Sequence, residues 1–266
     1  MVLGKILGSG QTATVYEYED KVIKVFAEST PYKSIEYEFN IGLAINSLPV
    51  KAPRTYELIK LCNQFCIVYE KAEGILLRTS LEDTPHKVIR IAKHMAQLHL
   101  EIHKNTVNDF IGQSERFERL IRKSEEILGD LTGKICTYLN ELPQCSNLCH
   151  GDFHLDNIIT GNSDYTLDWT NAYKGYPLGD VARTMIILKS PFIPNDASVL
   201  VKTFAKPLKS LLLKHYLNYY FRHSKFSKPD MKQFILPLLA ARLSENLPEE
   251  RKWLMNLITE EVSRIE

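Results

Sequence analysis

The chain has 266 residues, 44% hydrophobic and 24% charged, enough to bury a large core as one globular unit or as two lobes. Its 33 basic and 32 acidic side chains leave a formal charge of +1, which gives no global basis for nucleic-acid binding. The opening MVLGKILGSG lacks a long apolar stretch, and no run of about 18 apolar residues follows, so the expectation is a cytoplasmic protein that does not enter a membrane.

In chain order, VLGKIL predicts a strand, GSGQTAT a polar turn and VYEY a second strand. Glu19 and Asp20 form the next turn before the strand KVIKVF. SIEYEFNIGLAINSL has the apolar recurrence of a helix, weakened by Gly42. RTYELIKLC and NQFCIVYE predict two more strands joined at Asn63. These elements predict an α+β fold whose N-terminal lobe, residues 1–70, is a five-stranded antiparallel sheet with one helix.

Residues 71–266 predict a larger, mainly helical lobe. EKAEGILLRTS reads as a crossing segment, and HKVIRIAKHMAQLHLEIHK as a helix with Val88, Ile91, Ala92, Met95, Leu98 and Ile102 on one stripe. FERLIRKSEEILGDL and GKICTYLNEL continue the helical pattern, short strands and loops fill Leu148 to Leu167, and DVARTMIILKS resumes it. Three further helical stretches begin at Ala197, Met231 and Glu249, with Pro207 and Pro237 expected to divide or kink two of them. The five cysteines, Cys62, Cys66, Cys136, Cys145 and Cys149, do not suggest a disulfide framework, and Cys145, Cys149 and His150 are poorly spaced for zinc.

Gly8, Ser9 and Gly10 form a turn that has Ala13 at the third small position of a G-x-G-x-x-G spacing. Because TVYEY reads as a strand, the turn is not a Rossmann fingerprint, and without a lysine it is not a Walker A loop. It is either an ordinary hairpin or a clamp whose backbone donors meet phosphates while Val15 covers a base. Alternation in KVIKVF puts Val22, Lys24 and Phe26 on one face. A lysine on an inner face needs an anionic partner, for which Glu38 is preferred over Glu36; a solvent-facing Lys24 is the alternative.

The strongest local signal is LCHGDFHLDNII followed by YTLDWT. Phosphoryl transfer needs a carboxylate at the acceptor hydroxyl and hard oxygen ligands for Mg2+, and Asp152, Asn157 and Asp168 supply those types in a suitable order. His150 is read as a loop organiser, His154 as structural or as lining an acceptor site, and Asp156 as a weaker metal candidate than Asn157. A metallohydrolase built from His150, Asp152, His154, Asp156 and Asp168 is the competing reading, and it leaves the glycine turn and Lys24 unexplained.

Together LGSGQTATVY, KVIKVF, the helix with Glu38, HGDFHLDN, TLDW and GYPLGDVART resemble the aminoglycoside phosphotransferase and choline kinase-like family, a branch of the bilobal protein kinase-like fold. The resemblance implies ATP as phosphoryl donor, Mg2+ held by Asn157 and Asp168, Asp152 as catalytic base, and a small-molecule hydroxyl as acceptor. It further implies that Lys24 meets nucleotide phosphate with Glu38 orienting it. Glu70, Lys71 and Ala72 would contact adenine through backbone groups, and Asp180 would support the catalytic loop. An aspartate at Asp180 also suits a helix cap.

The departures are informative. Gly151 stands where many protein kinases have arginine, Trp169-Thr170 follows Asp168, no A-P-E element appears, and 11 residues separate Asp168 from Asp180. These argue against a switched kinase acting on proteins. A catalytically inactive nucleotide-binding scaffold remains a second alternative. Family acceptors range from aminoglycosides to choline, homoserine and methylthioribose, so the resemblance leaves the acceptor open. The segment Asn195–Lys232 carries eight Lys or Arg against Asp196 and Asp230, which is no sign of a polycation site. Tyr165, Trp169, Tyr173 and Tyr176 either line an acceptor site or stabilise the loop between Asp168 and Asp180.

Overall fold

Apolar alternation through the first seventy residues is realised as a single antiparallel sheet. The computed structural model describes residues 3–10, 12–191 and 199–265, with side chains omitted at 199–205. Strands β1 (Ile6–Ser9), β2 (Ala13–Tyr18) and β3 (Lys21–Phe26) precede helix α1 (Tyr32–Asn46), and β4 (Thr55–Leu61) and β5 (Gln64–Glu70) follow it. The sheet order is β1-β2-β3-β5-β4. One strand differs from expectation: β1 runs into the glycine segment, pairing Gly8 with Val15 and Ser9 with Thr14 after a register shift that follows Ile6. Of the expected turn, Gln11 lies outside the described residues.

Both sheet faces carry apolar clusters. Ala13, Phe26 and Ile67 pack with Ile35 and Phe39 of α1, while Ile23, Cys66 and Val68 pack with Tyr16, Val25 and Ile59. Gly42 does not interrupt α1. A Cβ there would lie 2.2 Å from Thr55 Oγ1, so glycine is what lets the helix approach β4.

Beyond β5 come β6 (Ile75–Leu76), within the expected crossing segment, and α2 (Leu77–Asp83), which starts in that segment and runs past its end, then α3 (Val88–His103), α4 (Gln113–Arg122), α5 (Glu125–Leu128) and α6 (Leu131–Glu141). Short strands β7 (Asn147–Cys149), β8 (Ile158–Thr160), β9 (Tyr165–Thr166) and β10 (Tyr173–Gly175) lead to α7 (Pro177–Lys189), α8 (Val199–His223), α9 (Ile235–Arg242) and α10 (Pro248–Ile265). The stretch expected as one helix from Met231 is divided just before Pro237, where the 3-10 helix Pro229–Phe234 gives way to α9, whereas α8 is not divided at Pro207. α8 continues through Pro207, and Pro237 stands in the first turn of α9.

The chain forms two compact units, Met1–Leu77 with Asp156–Asn171, and Arg78–Leu155 with Ala172–Glu266. Against the expected boundary at residue 70, the first unit extends to Leu77 and takes in the β8–β9 hairpin, because β8 pairs with β6. In the second unit, α3 packs along α8, and its expected stripe is buried throughout. The basic segment is largely solvent-facing, with Lys206, Lys214, Arg222, Lys225, Lys228 and Lys232 exposed; its start, residues 195–198, lies outside the described residues. No helix among the described residues is long and apolar enough to cross a membrane.

Candidate active site

In the first unit the sheet aims Lys24 at the face covered by α1. Its Nζ lies 2.7 Å from Glu38 Oε1, and the two side chains are only 20% and 12% exposed. Glu36 is exposed and Glu38 half-buried, so the helix register selects the partner. Tyr69, the penultimate residue of β5, donates its hydroxyl to the same Glu38 oxygen at 2.9 Å. Burial, with the negative charges of Glu38 and Asp168, pushes the Tyr69 phenol well above its ordinary range. Sequence reading missed Tyr69, although its alternation with Phe65 and Ile67 places all three on the α1 face.

Val15 stands opposite Lys24 across β2 and β3. Gly8, Ser9 and Gly10 are exposed, and the turn is tied by Gly10 N–H donating to Ala13 O at 2.9 Å. A Cβ at Gly8 would meet no heavy atom within 4 Å, and one at Gly10 only Ala13 O at 3.7 Å. At the end of β5, Glu70 accepts hydrogen bonds from Arg54 N–H (3.0 Å) and the Tyr165 hydroxyl (3.1 Å), and its own amide is taken by Arg54 O. Lys71 pairs with Glu17 at 3.0 Å; Ala72 is half-buried.

The β8–β9 hairpin brings Asn157 and Asp168 to one end. Ile158 pairs with Thr166, and Leu167 N–H donates to Asn157 O at 2.8 Å. Asp168 adopts a left-handed backbone with φ 55°, a conformation aspartate tolerates better than most residues, and Thr170 Oγ1 donates to its Oδ1 at 2.9 Å. The short helical turn Trp169–Asn171 that follows packs on α1.

In the second unit the segment after β7 is fixed from several directions. His150 is fully buried, and its Nδ1 accepts the Asp152 N–H at 3.2 Å, the loop-organising role expected of it. Gly151 has φ 78°, a left-handed conformation that explains glycine where many protein kinases carry arginine. Asp180 is fully buried; its carboxylate accepts the amides of His150 (2.5 Å) and Gly151 (2.9 Å). The capping expectation is therefore corrected: Tyr176 is the N-cap residue of α7, and Asp180 bonds the loop instead of its own helix.

Two histidines missed by sequence reading complete this anchor. His99 and His103 bring Nε2 to 3.1 and 3.3 Å from Asp180 Oδ2, while their Nδ1 atoms meet the Tyr216 and Tyr220 hydroxyls at 2.6 and 2.7 Å. An ionised carboxylate only accepts, so each ring presents an Nε2–H to Asp180. Burial pushes His99 down to about 3, with His103 acting the same way and Asp180 opposing. Burial alone would raise Asp180, but the two histidines hold it well below the ordinary carboxylate range. Their signal in the sequence was polarity on the buried stripe of α3, at positions four apart.

Asp152 itself is 23% exposed at the side chain. His154 Nε2 lies 3.3 Å from Oδ2, and Arg183 Nη2, from α7, lies 3.4 Å from Oδ1. Burial would raise its pKa; the His154 hydrogen bond and charge, then Arg183, outweigh this and hold it well below the usual range. A carboxylate so held stays ionised and can take a proton only as one is being released. Tyr173 is buried and packs edge-on against Phe117, while Trp169 donates to Thr166 O at 2.9 Å, so both serve structure. Within this unit, His150, Asp152 and His154 do not form a metal-binding group; the trio with that proximity among the described residues is His99, His103 and Asp180.

A family model described as the phosphotransferase enzyme family, APH, matches residues 4–206. No curated protein matches the sequence. Among solved structures, a thermostable mutant of aminoglycoside phosphotransferase APH(4)-Ia in ternary complex with ADP and hygromycin B is similar at TM-score 0.66 and 15% identity, over 98% of this chain and 93% of that one. The streptomycin–ATP–APH(2")-IIa ternary complex is similar at TM-score 0.57 and 16% identity, over 98% and 93%. An aminoglycoside-3'-phosphotransferase of type VIII follows at TM-score 0.59 and 15% identity, over 90% and 92%. At these identities the likeness establishes the fold, which is kinase-like, with a five-stranded antiparallel N-terminal sheet and a mainly helical C-terminal part.

Proposed function

The chain belongs to the phosphotransferase enzyme family, and on that premise we propose that it moves the γ-phosphoryl group of ATP to a hydroxyl of a small molecule. The observation that carries the reading is the loop His150–Asp152, pinned on buried Asp180 with an ionised, partly exposed Asp152 at its end. As the acceptor oxygen bonds to phosphorus and the bond from phosphorus to the ADP oxygen breaks, the hydroxyl proton passes to the Asp152 carboxylate.

On the donor side, Lys24, oriented by Glu38, would meet phosphate oxygens, with backbone amides from Gly8, Ser9 and Gly10 closing over them. Nothing in the protein's own packing demands glycine at Gly8 or Gly10, which supports a role in admitting another group close to the backbone. Val15 would cover the base. Lys71 and Ala72, with the Glu70 carbonyl, would offer backbone contacts to its edge, the Glu70 amide being committed to Arg54.

An amide oxygen and a carboxylate on one hairpin form a hard donor set that fits Mg2+, so Asn157 and Asp168 would hold it. When bound, the ion neutralises charge on the transferring phosphoryl oxygens. A cytoplasmic location accords with this use of ATP and with five free cysteines among the described residues.

The acceptor class is a small hydroxyl compound. Two of the similar proteins were captured with hygromycin B and streptomycin, which makes aminoglycosides one arm of the test. A transfer screen with Mg-ATP would cover small alcohols, amino alcohols, sugars and aminoglycosides, with phosphorylated product as the readout. Asp152→Asn is expected to bind Mg-ATP like the wild type while transfer falls by about 100-fold or more. Wild-type transfer by that variant would remove Asp152 as the base. Asp168→Ala is expected to weaken Mg-ATP binding, and unchanged affinity would remove Asp168 as a metal ligand.

A further inference from the structure

Arg183 is 8% exposed and spends its donors on the loop that carries Asp152. Its Nε donates to Gly151 O at 3.3 Å and its Nη2 to Asp152 Oδ1 at 3.4 Å, so one rigid guanidinium grips both the backbone before the carboxylate and the carboxylate itself. The same Nη2 also donates to Glu245 Oε1. Glu245 closes a short helical turn, Leu243–Glu245, well outside the residues 4–206 that match the family.

Glu245 is in turn fixed from its other oxygen. Arg242 Nη1 donates to Oε2 at 3.0 Å, and Arg242 also grips fully buried Glu250 at 2.5 and 2.7 Å. Ser190 donates to Glu250 as well. A chain of alternating charge therefore runs from Asp152 through Arg183, Glu245 and Arg242 to Glu250.

Charge compensation explains why the chain extends past Arg183. A buried guanidinium needs a carboxylate partner, and Asp152 alone, at the long end of hydrogen-bond reach, is a weak one. Drawn fully onto Arg183, Asp152 would be aligned but poorly able to accept a proton. A second carboxylate takes up part of that positive charge and leaves the aspartate both aligned and basic. We propose that Arg183 is the positioning residue for Asp152 and that Glu245, supplied by the chain beyond the family-matched region, sets how firmly Arg183 holds it. The inference rests on the phosphotransfer reading for its catalytic consequence, whereas its structural content is independent of it.

The test uses full-length Arg183→Met, Arg183→Lys, Glu245→Gln, Glu245→Asp and the double variant Arg183→Met/Glu245→Gln. Three quantities are read: amide hydrogen exchange across residues 150–155, affinity for Mg-AMP-PNP, and kcat and KM on whichever acceptor the screen identifies. Misplacing a reacting group is expected to lower kcat roughly 100-fold in Arg183→Met and roughly 10-fold in Glu245→Gln, with KM and nucleotide affinity within about two-fold. Glu245→Gln is expected to add nothing in the Arg183→Met background, because Glu245 acts through Arg183. Exchange across 150–155 is expected to quicken in Arg183→Met and Glu245→Gln and to return towards wild type in Glu245→Asp.

Undiminished kcat and unchanged exchange in Glu245→Gln would overturn the proposal, as would a Glu245→Gln effect that persists without Arg183. If Arg183→Met does not fold, Glu245→Gln, at an exposed residue, and the conservative Arg183→Lys carry the test. If no acceptor is phosphorylated, phosphotransfer fails separately, and loop exchange alone decides whether Arg183 and Glu245 hold the loop.

Discussion

Two glycine-bearing turns are proposed to meet the reactants, and they are built on opposite principles. At Gly8–Gly10 the side of the turn is open, all three residues are exposed, and the Gly10 amide donates to Ala13 O. At His150–Asp152 the backbone is buried against Asp180 and Arg183, and Gly151 is forced to φ 78°. The first turn has room to take its shape from what it binds, so its sequence is constrained by reach. The second is set before any ligand arrives, so its sequence is constrained by conformation and by charges far along the chain. A phosphate tolerates adjustable donors, whereas a base must already lie on the line of proton transfer.

The largest expected break in that contrast comes at Asp180. Asp180→Ala leaves the His150 and Gly151 amides and two buried imidazoles without their acceptor, and is expected to destabilise the protein by about 3–5 kcal/mol in urea unfolding. Stability near that of the wild type would mean the loop is held by something else. Acidification probes the same anchor more gently. His99 titrates near 6.5 when unfolded but at about 3 when folded, so between those values the unfolded chain binds more protons and stability falls as pH drops. The slope should approach about 1.4 kcal/mol per pH unit below pH 6. Asp180, also depressed, adds loss in the same direction below its unfolded value, and a flat profile from pH 7 to 5 would contradict the buried neutral His99.

The glycines give the smallest and sharpest effects. Gly151→Ala places a Cβ on left-handed backbone and is expected to cost about 1–2 kcal/mol. Gly8→Ala meets nothing and Gly10→Ala only an ordinary contact with Ala13 O, so stability should stay within about 0.5 kcal/mol while Mg-ATP affinity falls. If either turn responded like the other, the distinction between them would collapse.

Elements whose information is local were legible in the sequence. Alternation in Lys21–Phe26 gave a strand with Lys24 on the inner face, and the Glu19-Asp20 turn appears with Glu19 at φ 55°. The stretch from His150 to Asn157 announced itself by residue type and spacing. What stayed hidden depends on distance along the chain. Glu245 reaches Arg183 across 62 positions, and no period or motif links them. The residue pattern by itself offered Asp180 only as a cap, and it was the resemblance that assigned it to the catalytic loop, whose amides lie 30 and 29 residues earlier. Gly42 looked like a weakness because the Thr55 side chain it accommodates belongs to another element. The shift of β1 came from pairing at Ser9 and Thr14, which extends a strand into residues that favour turns.

The β8–β9 hairpin has a consequence for synthesis. It belongs with the first unit although Arg78–Leu155 lies between them in the chain, so that unit is incomplete until Asn171 has left the ribosome. A fragment ending at Leu77 would retain Lys24 and Glu38 and lose Asn157 and Asp168, however well its five-stranded sheet formed. Any attempt to express the first unit by itself must therefore splice the hairpin back in, and a nascent chain stalled before it would expose β6 with its pairing edge unfilled.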